Sequence, residues 1–408
     1  MVRPLLLRGG TLWDGQSRDV RRDVDILVEG DRIASIAGVA TERDASVVDL
    51  EGRYVLPGLI DMHVHLVWSG DPDPAEQVQR ESEQLTTIRA VANAQAQLRG
   101  GVTTVRDLGG NADIAVTVAA AIDKGLIEGP SIVAAGQTII MTGGHDPFWG
   151  LASDGTDAVI RSVRRQVRIG ARVIKLAATG GVYGRPQGEA IGQAELTFEE
   201  LSAAVAEAHR LGLKVAAHAV GADGIRDAVR AGVDTVEHGN FLTEEIVDLM
   251  RRHGTALCPT LAIYRTIAAG ADHGIPDYAT QKAQQAVSAH VESFTMAREA
   301  KIPIIAGTDA GSCATPHPAL VGELAAMCEL GMPADDALRA ATSTAADVLG
   351  KAPIAGRVAL GAQADLLVVA ADPREDVGVL LNPYLVLRAG RTFSVNGQGI
   401  SPAESVSN

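Results

Sequence analysis

Leu56-Pro57-Gly58-Leu59-Ile60-Asp61-Met62-His63-Val64-His65 is a short apolar run that opens on Pro-Gly and closes on two histidines spaced i and i+2. In a strand, side chains two apart share a face, so both imidazoles point the same way and can hold one cation between them. Either histidine alone also reads as a core residue bonded to backbone. Paired at the end of a buried strand, they read as half of a metal site.

Outward from this strand, short apolar runs alternate with helical segments from about Pro57 to Gly350, the pattern of buried parallel strands covered by helices. Eight such runs are centred on Ile60 to His65, Thr103 to Asp107, Ile132 to Ala135, Val173 to Leu176, Val215 to His218, Thr235 to His238, Ala256 to Pro259 and Ile302 to Asp309. Thr197 to Leu211, with Glu199-Glu200 in its first turn and Gly212 as its stop, is one of the helices between them. Eight β/α units predict a (β/α)8 TIM barrel over 57–350. The flanks differ in texture. Asp23 to Ile36 reaches a Gly30-Asp31 turn and returns as a hairpin, and Ala364 to Val369 and Val386 to Arg391 are short strands of the same kind. Residues 1–56 plus 351–408 are therefore expected to pair into one small β-sandwich domain.

In such barrels reactive groups gather at the C-terminal ends of the strands, so a polar residue that ends an apolar strand is a candidate ligand or catalyst. His218 ends Lys214-Val215-Ala216-Ala217-His218, and His238 ends Asp234-Thr235-Val236-Glu237-His238. Two consecutive strands thus deliver an imidazole to one mouth and fit a second metal site. Asp309 closes Ile304-Ile305-Ala306-Gly307-Thr308-Asp309, where it suits a metal ligand that also accepts a proton from bound water. Lys175, in Val173-Ile174-Lys175-Leu176, is costly to bury as an ammonium. It either pairs with a carboxylate or loses its proton, from an ordinary pKa of about 10.4, and reacts with carbon dioxide to give a bridging carbamate.

With these residues in place the chain resembles the binuclear amidohydrolases. It is most similar to the imidazolonepropionase-like branch that holds Xaa-Pro and Xaa-Arg dipeptidases, ochratoxinase and phenylurea hydrolases. The stretches that carry the likeness are Leu56 to His65, Gly101-Val102-Thr103-Thr104-Val105-Arg106-Asp107, Met141-Thr142-Gly143-Gly144-His145, Val173-Ile174-Lys175, Val236-Glu237-His238-Gly239 and Ala306-Gly307-Thr308-Asp309-Ala310-Gly311. The resemblance implies two divalent metal ions, zinc by default. His63 and His65 would bind the more buried ion, His218 and His238 the more exposed one, and carboxylated Lys175 would bridge them. Asp309 would bind the buried ion and carry the proton. The implied reaction is hydrolysis of a carbon–nitrogen bond in an amide, dipeptide, N-acyl amino acid, carbamate or aryl urea by a metal-activated water. A lactonase or phosphotriesterase would share the same centre. A mononuclear deaminase of the superfamily would carry a Glu three residues after the fifth-strand histidine, where this chain has Gly221, and would need no bridging lysine. A metal-binding scaffold without turnover would have to keep all six ligands unused.

For the substrate, the resemblance points to His145, after Gly143-Gly144 in the third loop. Tyr183 and Arg185 can hold a carboxylate, because a guanidinium binds that group with two parallel hydrogen bonds. Val220 stands where dipeptidases of this branch carry Tyr or His, and it offers no hydrogen bond, so an apolar amide, carbamate or urea competes with a peptide. His317, in Pro316-His317-Pro318, either lines the pocket or sits in a structural proline cage. Asp61 is expected on the face of His63 and His65 but deeper, and Asp107 either supports a ligand or serves local structure. His209, His253, His273 and His290 are expected to be solvated.

The composition fits this chemistry. Of 408 residues, 46% are hydrophobic, 21% charged and only 3% aromatic, so aliphatic side chains must fill a large core. A net charge of -14 disfavours nucleic acid or an anionic membrane as partner and leaves a small-molecule substrate. Three cysteines are too few for a disulfide framework and suit a reducing cytoplasm. The run Met1 to Arg8 meets a charge before it reaches signal-peptide length. A homo-oligomer is expected, through helical surface with no pattern of its own.

Overall fold

The computed structural model describes residues 3–37, 44–185, 188–351, 355–395 and 398–399. The parts of the expected small domain at 1–2, 38–43, 352–354, 396–397 and 400–408 lie outside them. The strands are β1 (Leu5–Leu12), β2 (Arg21–Glu29), β3 (Arg32–Ala37), β4 (Ser46–Asp49), β5 (Tyr54–Pro57), β6 (Leu59–Val64), β7 (Val102–Asp107), β8 (Ser131–Ala134) and β9 (Ile139–Ile140). They continue with β10 (Leu151–Ala152), β11 (Val173–Ala177), β12 (Lys214–Ala219), β13 (Thr235–His238), β14 (Ala256–Cys258), β15 (Leu366–Val369), β16 (Leu385–Arg388), β17 (Arg391–Val395) and β18 (Gln398–Gly399).

A nine-stranded sheet, in the order β18-β17-β16-β15-β5-β1-β2-β3 with β4 paired off β1, draws on both ends of the chain. β1 divides its partners. Leu5 to Arg8 run beside β4, and Thr11 and Leu12 beside β5. Leu7, Ile26 and Val28 of one arm then share a core with Leu366, Val368 and Leu385 of the other. This burial ties the C-terminal strands back to the N-terminal hairpin that the sequence pattern predicted.

The intervening chain forms two parallel sheets, β6-β7-β8 and β10-β9-β11-β12-β13-β14. Backbone hydrogen bonds reach across their edges. Arg172 N–H, just before β11, donates to Ala134 O of β8 at 2.8 Å. On the far side Leu257 N–H donates to Pro303 O, Ile305 N–H to Leu257 O and Met62 N–H to Ala306 O, each at 2.9 Å. The run Ile302 to Asp309, expected as an eighth full strand, makes the isolated bridge Leu257↔Ile304, and a second, Val64↔Ala310, follows directly after it. Pro303 has no N–H for a ladder, and Asp309 turns into left-handed backbone at φ 58°.

Period-two alternation explains how charged ligands enter this apolar interior. In β11, Ile174 and Leu176 pack against Val163 of helix Thr156–Ile169 and Leu201 and Val205 of helix Phe198–Arg210. Val173 faces the other way, onto Leu108, Val133 and Ala216, and Lys175 has the parity of Val173. β12 repeats the arrangement, with Val215 and Ala217 toward the helices and Ala216 and His218 on the opposite face. Helix Phe198–Arg210 matches the predicted segment to within one residue at each end. Thr197 and Glu200 close a capping box, and Leu201, Ala204, Val205 and Ala208 are buried. Burying each of its larger aliphatic side chains contributes roughly 1.5–3 kcal/mol. Among the described residues no helix is long and apolar enough to cross a membrane.

Candidate active site

One cavity is lined by all six candidate ligands, His63, His65, Lys175, His218, His238 and Asp309. Three of the imidazoles are held by their Nδ1 atoms. His63 Nδ1–H donates to Glu237 Oε2 at 3.0 Å and His65 Nδ1–H to Gly109 O at 2.8 Å, and His238 Nδ1 pairs with Thr260 Oγ1 at 2.7 Å. That leaves each Nε2 as the free nitrogen, the arrangement by which outer partners fix a ligating imidazole. Asp309 Oδ1 lies within ion-pair distance of both rings, 3.1 Å from His65 Nε2 and 3.6 Å from His63 Nε2, and is buried without a hydrogen-bond partner among the described residues. His218 Nε2 is likewise buried without a partner. Polar atoms that converge without pairing are expensive in a protein interior unless something sits between them.

The electrostatics agree with a cation there. Burial pushes His63, His218 and His238 well below the ordinary histidine range, and the charge of Lys175 adds to this, so the rings are neutral and can donate a lone pair. Burial opposes ionisation of Asp309, but His63 and His65 outweigh it and hold the carboxylate below its usual range. Lys175 is 2% exposed, and among the described residues no carboxylate comes within ion-pair distance of its Nζ. Burial lowers its pKa, partly offset by Glu237, Asp146 and Asp309.

Behind His63 lies a buried network that strand logic did not single out. Glu237 Oε1 accepts from the Arg106 guanidinium at 2.8 Å, and Arg106 also donates to Met62 O at 2.6 Å and Thr235 Oγ1 at 2.9 Å. The burial cost that singles out Lys175 applies equally to Arg106, in the middle of β7, and was the signal available for it. Glu237 and His238 are consecutive, and plain alternation would send them to opposite faces. His238 adopts φ 72°, a left-handed conformation that costs a non-glycine residue of order 1–3 kcal/mol and turns its ring back toward the cavity. Asp146 (φ 59°), Thr260 (φ 51°) and Asp309 (φ 58°) share this strain, so four residues around the cavity are held in unfavourable backbone by their surroundings.

Residues 54–393 match the family model described as "Amidohydrolase family". The chain belongs to the amidohydrolase family. It is 30% identical to ochratoxinase of Aspergillus niger over 439 residues, covering 97% of this chain and 88% of that enzyme. A crystal structure of a Xaa-Pro dipeptidase with methionine bound in its active site is 34% identical with a TM-score of 0.89, covering 96% of this chain and all of that one (100%). A putative prolidase from Bifidobacterium longum is 32% identical with a TM-score of 0.86, covering 100% of this chain and 98% of its own. These likenesses make this amidohydrolase a hydrolase by family.

The substrate side of the amidohydrolase departs from the sequence expectations. His145 does line the cavity, stacked on His218 with ring centroids 4.0 Å apart. Burial works against its charge, but Asp146, the Glu189 carboxylate hydrogen-bonded to Nδ1 at 2.8 Å, and Glu195 raise it to about 9. Tyr183 also lines the cavity, and its hydroxyl is engaged by Asp73 and Ala75 N–H. Arg185 does not line it; the guanidinium donates to Gly188 O at 3.0 Å, within its own loop. Val220 is buried away from the cavity, its N–H bound by Thr179 Oγ1. His317 does not line the cavity; its Nδ1 lies 2.9 Å from the Gln97 amide and its Nε2 3.3 Å from His65 O, so it braces the backbone of His65. Asp61 lies deeper than the histidines and does not line the cavity. β6 shifts register between Asp61 and Val64, and the carboxylate accepts from Thr308 Oγ1 at 2.7 Å and from the N–H groups of Thr308 and His63. Asp107 accepts from Leu66 and Gly109 N–H. His290, expected in solvent, is 2% exposed and donates to His238 O at 3.1 Å.

Gly181 makes the stacked pair possible. A Cβ on it would stand 2.5 Å from His145 Cε1 and 2.8 Å from His218 Nε2. Gly181→Ala should therefore displace both rings and weaken divalent-cation binding roughly 10–100-fold, as loss of a supporting group does. Zinc titration of the folded variant, with circular dichroism unchanged, checks this.

Proposed function

We propose that this amidohydrolase hydrolyses carbon–nitrogen bonds with two divalent cations, zinc by default. We place the centre at the mouth of a (β/α)8 barrel spanning 57–350, carrying a small β-sandwich domain from 1–56 plus 351–408. The observation that carries the proposal is the convergence of unpaired nitrogen and carboxylate atoms on one cavity, together with a buried lysine that, among the described residues, has no carboxylate within ion-pair distance. Four imidazoles and a carboxylate suit divalent zinc, cobalt or manganese. His63, His65 and Asp309 would hold one ion, and their donor atoms lie within 4.8 Å of one another. His218 and His238 would hold the other. Lys175, whose pKa burial lowers, can lose its proton, add the freed nitrogen lone pair to carbon dioxide and release a second proton to solvent, which would leave a carbamate anion near both.

Bound there, the cations would lower the pKa of a water and polarise the scissile carbonyl. Asp309 takes the proton of the attacking water and returns it to the leaving nitrogen, because expulsion of an amine needs an acid. His145 presents its Nε2–H to the substrate while Glu189 fixes the ring. Trp68, Val182, Ile263 and Ile267 supply apolar walls. Lys282, off the lining, donates to Arg185 O and lies 3.7 Å from Glu189, and the charge of His145, on the lining, is already balanced by Glu189 and Asp146. The walls therefore favour a neutral, apolar acyl or aryl group over a substrate held by its carboxylate.

Metal analysis of the purified protein, chelation, and hydrolysis of dipeptides, N-acyl amino acids, aryl carbamates, ureas and lactones test the proposal together. About two metals per chain and C–N hydrolysis that is lost on chelation and regained with zinc are expected. Full activity with less than one metal per chain, or turnover of lactones alone, would contradict it.

A further inference from the structure

Helix Leu261–Ala268 starts directly after Thr260, the residue that holds His238. Its first turns put Ile263, Tyr264 and Ile267 on the cavity wall, so Tyr264 is the one polar side chain that this helix contributes to the lining. The helix is firmly seated. The buried carboxylate of Glu323 accepts from Leu261 N–H and Ala262 N–H, both at 2.8 Å, which satisfies amides that a helix start otherwise leaves open. The ring of Tyr264 is fixed as well. Its centroid lies 5.6 Å from that of His238 and 4.7 Å, edge-on, from that of His290, and the residue is 4% exposed. Burial, and after it the charge of Asp309, push the phenol far above its usual range, while the nearby Asn240 side chain works the other way. A phenol, with an ordinary pKa of about 10, is an O–H donor at neutral pH.

We propose that Tyr264 is a catalytic residue whose hydroxyl donates to the carbonyl oxygen of the bound substrate, and more strongly to the oxyanion as the carbon becomes tetrahedral. The proposal rests on the C–N hydrolase function given above. A carbonyl oxygen has two lone pairs, and a cation on one side leaves the other to be met. Ile263 and Ile267 flank Tyr264 with hydrocarbon, so water is poorly placed to supply that donor. A fixed dipole in a dry site, aimed where negative charge develops, needs no reorganisation during the reaction. Asn240 lies near the hydroxyl, and its amide nitrogen and oxygen are buried without a hydrogen-bond partner among the described residues.

The test uses the zinc-loaded full chain and its Tyr264→Phe variant, with 4-nitroacetanilide as substrate probe and methylphosphonate as a tetrahedral anion. Removing the hydroxyl should lower kcat on the order of 100-fold, with KM within about threefold, and weaken methylphosphonate binding by about tenfold in calorimetry. Metal content and thermal midpoint should be unchanged. Equal methylphosphonate affinity in the two proteins, or none in wild type, overturns the assignment. Should the variant not fold, the wild-type near-ultraviolet difference spectrum decides instead: methylphosphonate should perturb a tyrosine band, and a flat spectrum overturns the proposal. If wild type cleaves lactones but not the anilide, the C–N function fails, while the methylphosphonate comparison still judges Tyr264.

Discussion

Lys175→Ala is expected to abolish hydrolysis, with a fall on the order of 1,000-fold or more, while leaving the metal-free protein as stable as before or more so. The two halves of this result come from the same side chain. In the absence of metal, Lys175 is a buried amine with no carboxylate within ion-pair reach, and burial lowers its pKa. Removing it relieves a desolvated polar group and leaves a modest void, effects of opposite sign that largely cancel. With metal, the same substitution deletes the ligand proposed to lie between the His63–His65 and His218–His238 pairs. The stabilisation that zinc gives by mass action should then shrink along with activity. Thermal melts of both proteins, with and without zinc, read the first half, and steady-state assays the second. A variant that keeps wild-type turnover would remove Lys175 from the centre. One that loses several kcal/mol of metal-free stability would show that the lysine is structural.

Asp309→Asn is expected to lower kcat roughly 100- to 10,000-fold, the range that positioned acid–base groups contribute, with much less change in KM. The amide is nearly the same shape and keeps an oxygen toward His63 and His65, but it cannot take a proton from water and return it to a leaving nitrogen. In the native protein burial resists the charge of Asp309, and His63 and His65 sustain it, so a carboxylate is what the site is built around. Metal content measured in parallel separates loss of a ligand from loss of the proton carrier. Near-normal metal with collapsed kcat supports the proton role. Near-normal kcat would exclude it.

Much of this site was legible in the chain because its clues are local. His63 and His65 are two apart on one strand, and His218, His238 and Lys175 interrupt apolar runs at positions where a polar group is costly. Helix Phe198–Arg210 announced itself by Thr197, Glu200 and Gly212, which act within a turn or two of the backbone. The misplacements have physical causes. Ile302 to Asp309 looked like a regular strand, but Pro303 and the left-handed turn at Asp309 prevent a ladder. His290 sits in a polar-looking helix, and only packing against Tyr264 shows that it faces inward.

The sequence alone determined which residue types meet at the cavity and the order of the elements that deliver them, because periodicity, capping and the cost of burying a polar group operate over a few residues. Tertiary structure decided everything that depends on distant pairs. Glu237 holds His63 from 174 positions away, and His317 braces the carbonyl of His65 from 252. Which imidazole nitrogen stays free, which cation is already engaged, and whether Tyr264 or Arg185 forms the wall are all set by such contacts. No local pattern encodes them, since each arises only when separate strands and loops close on one another.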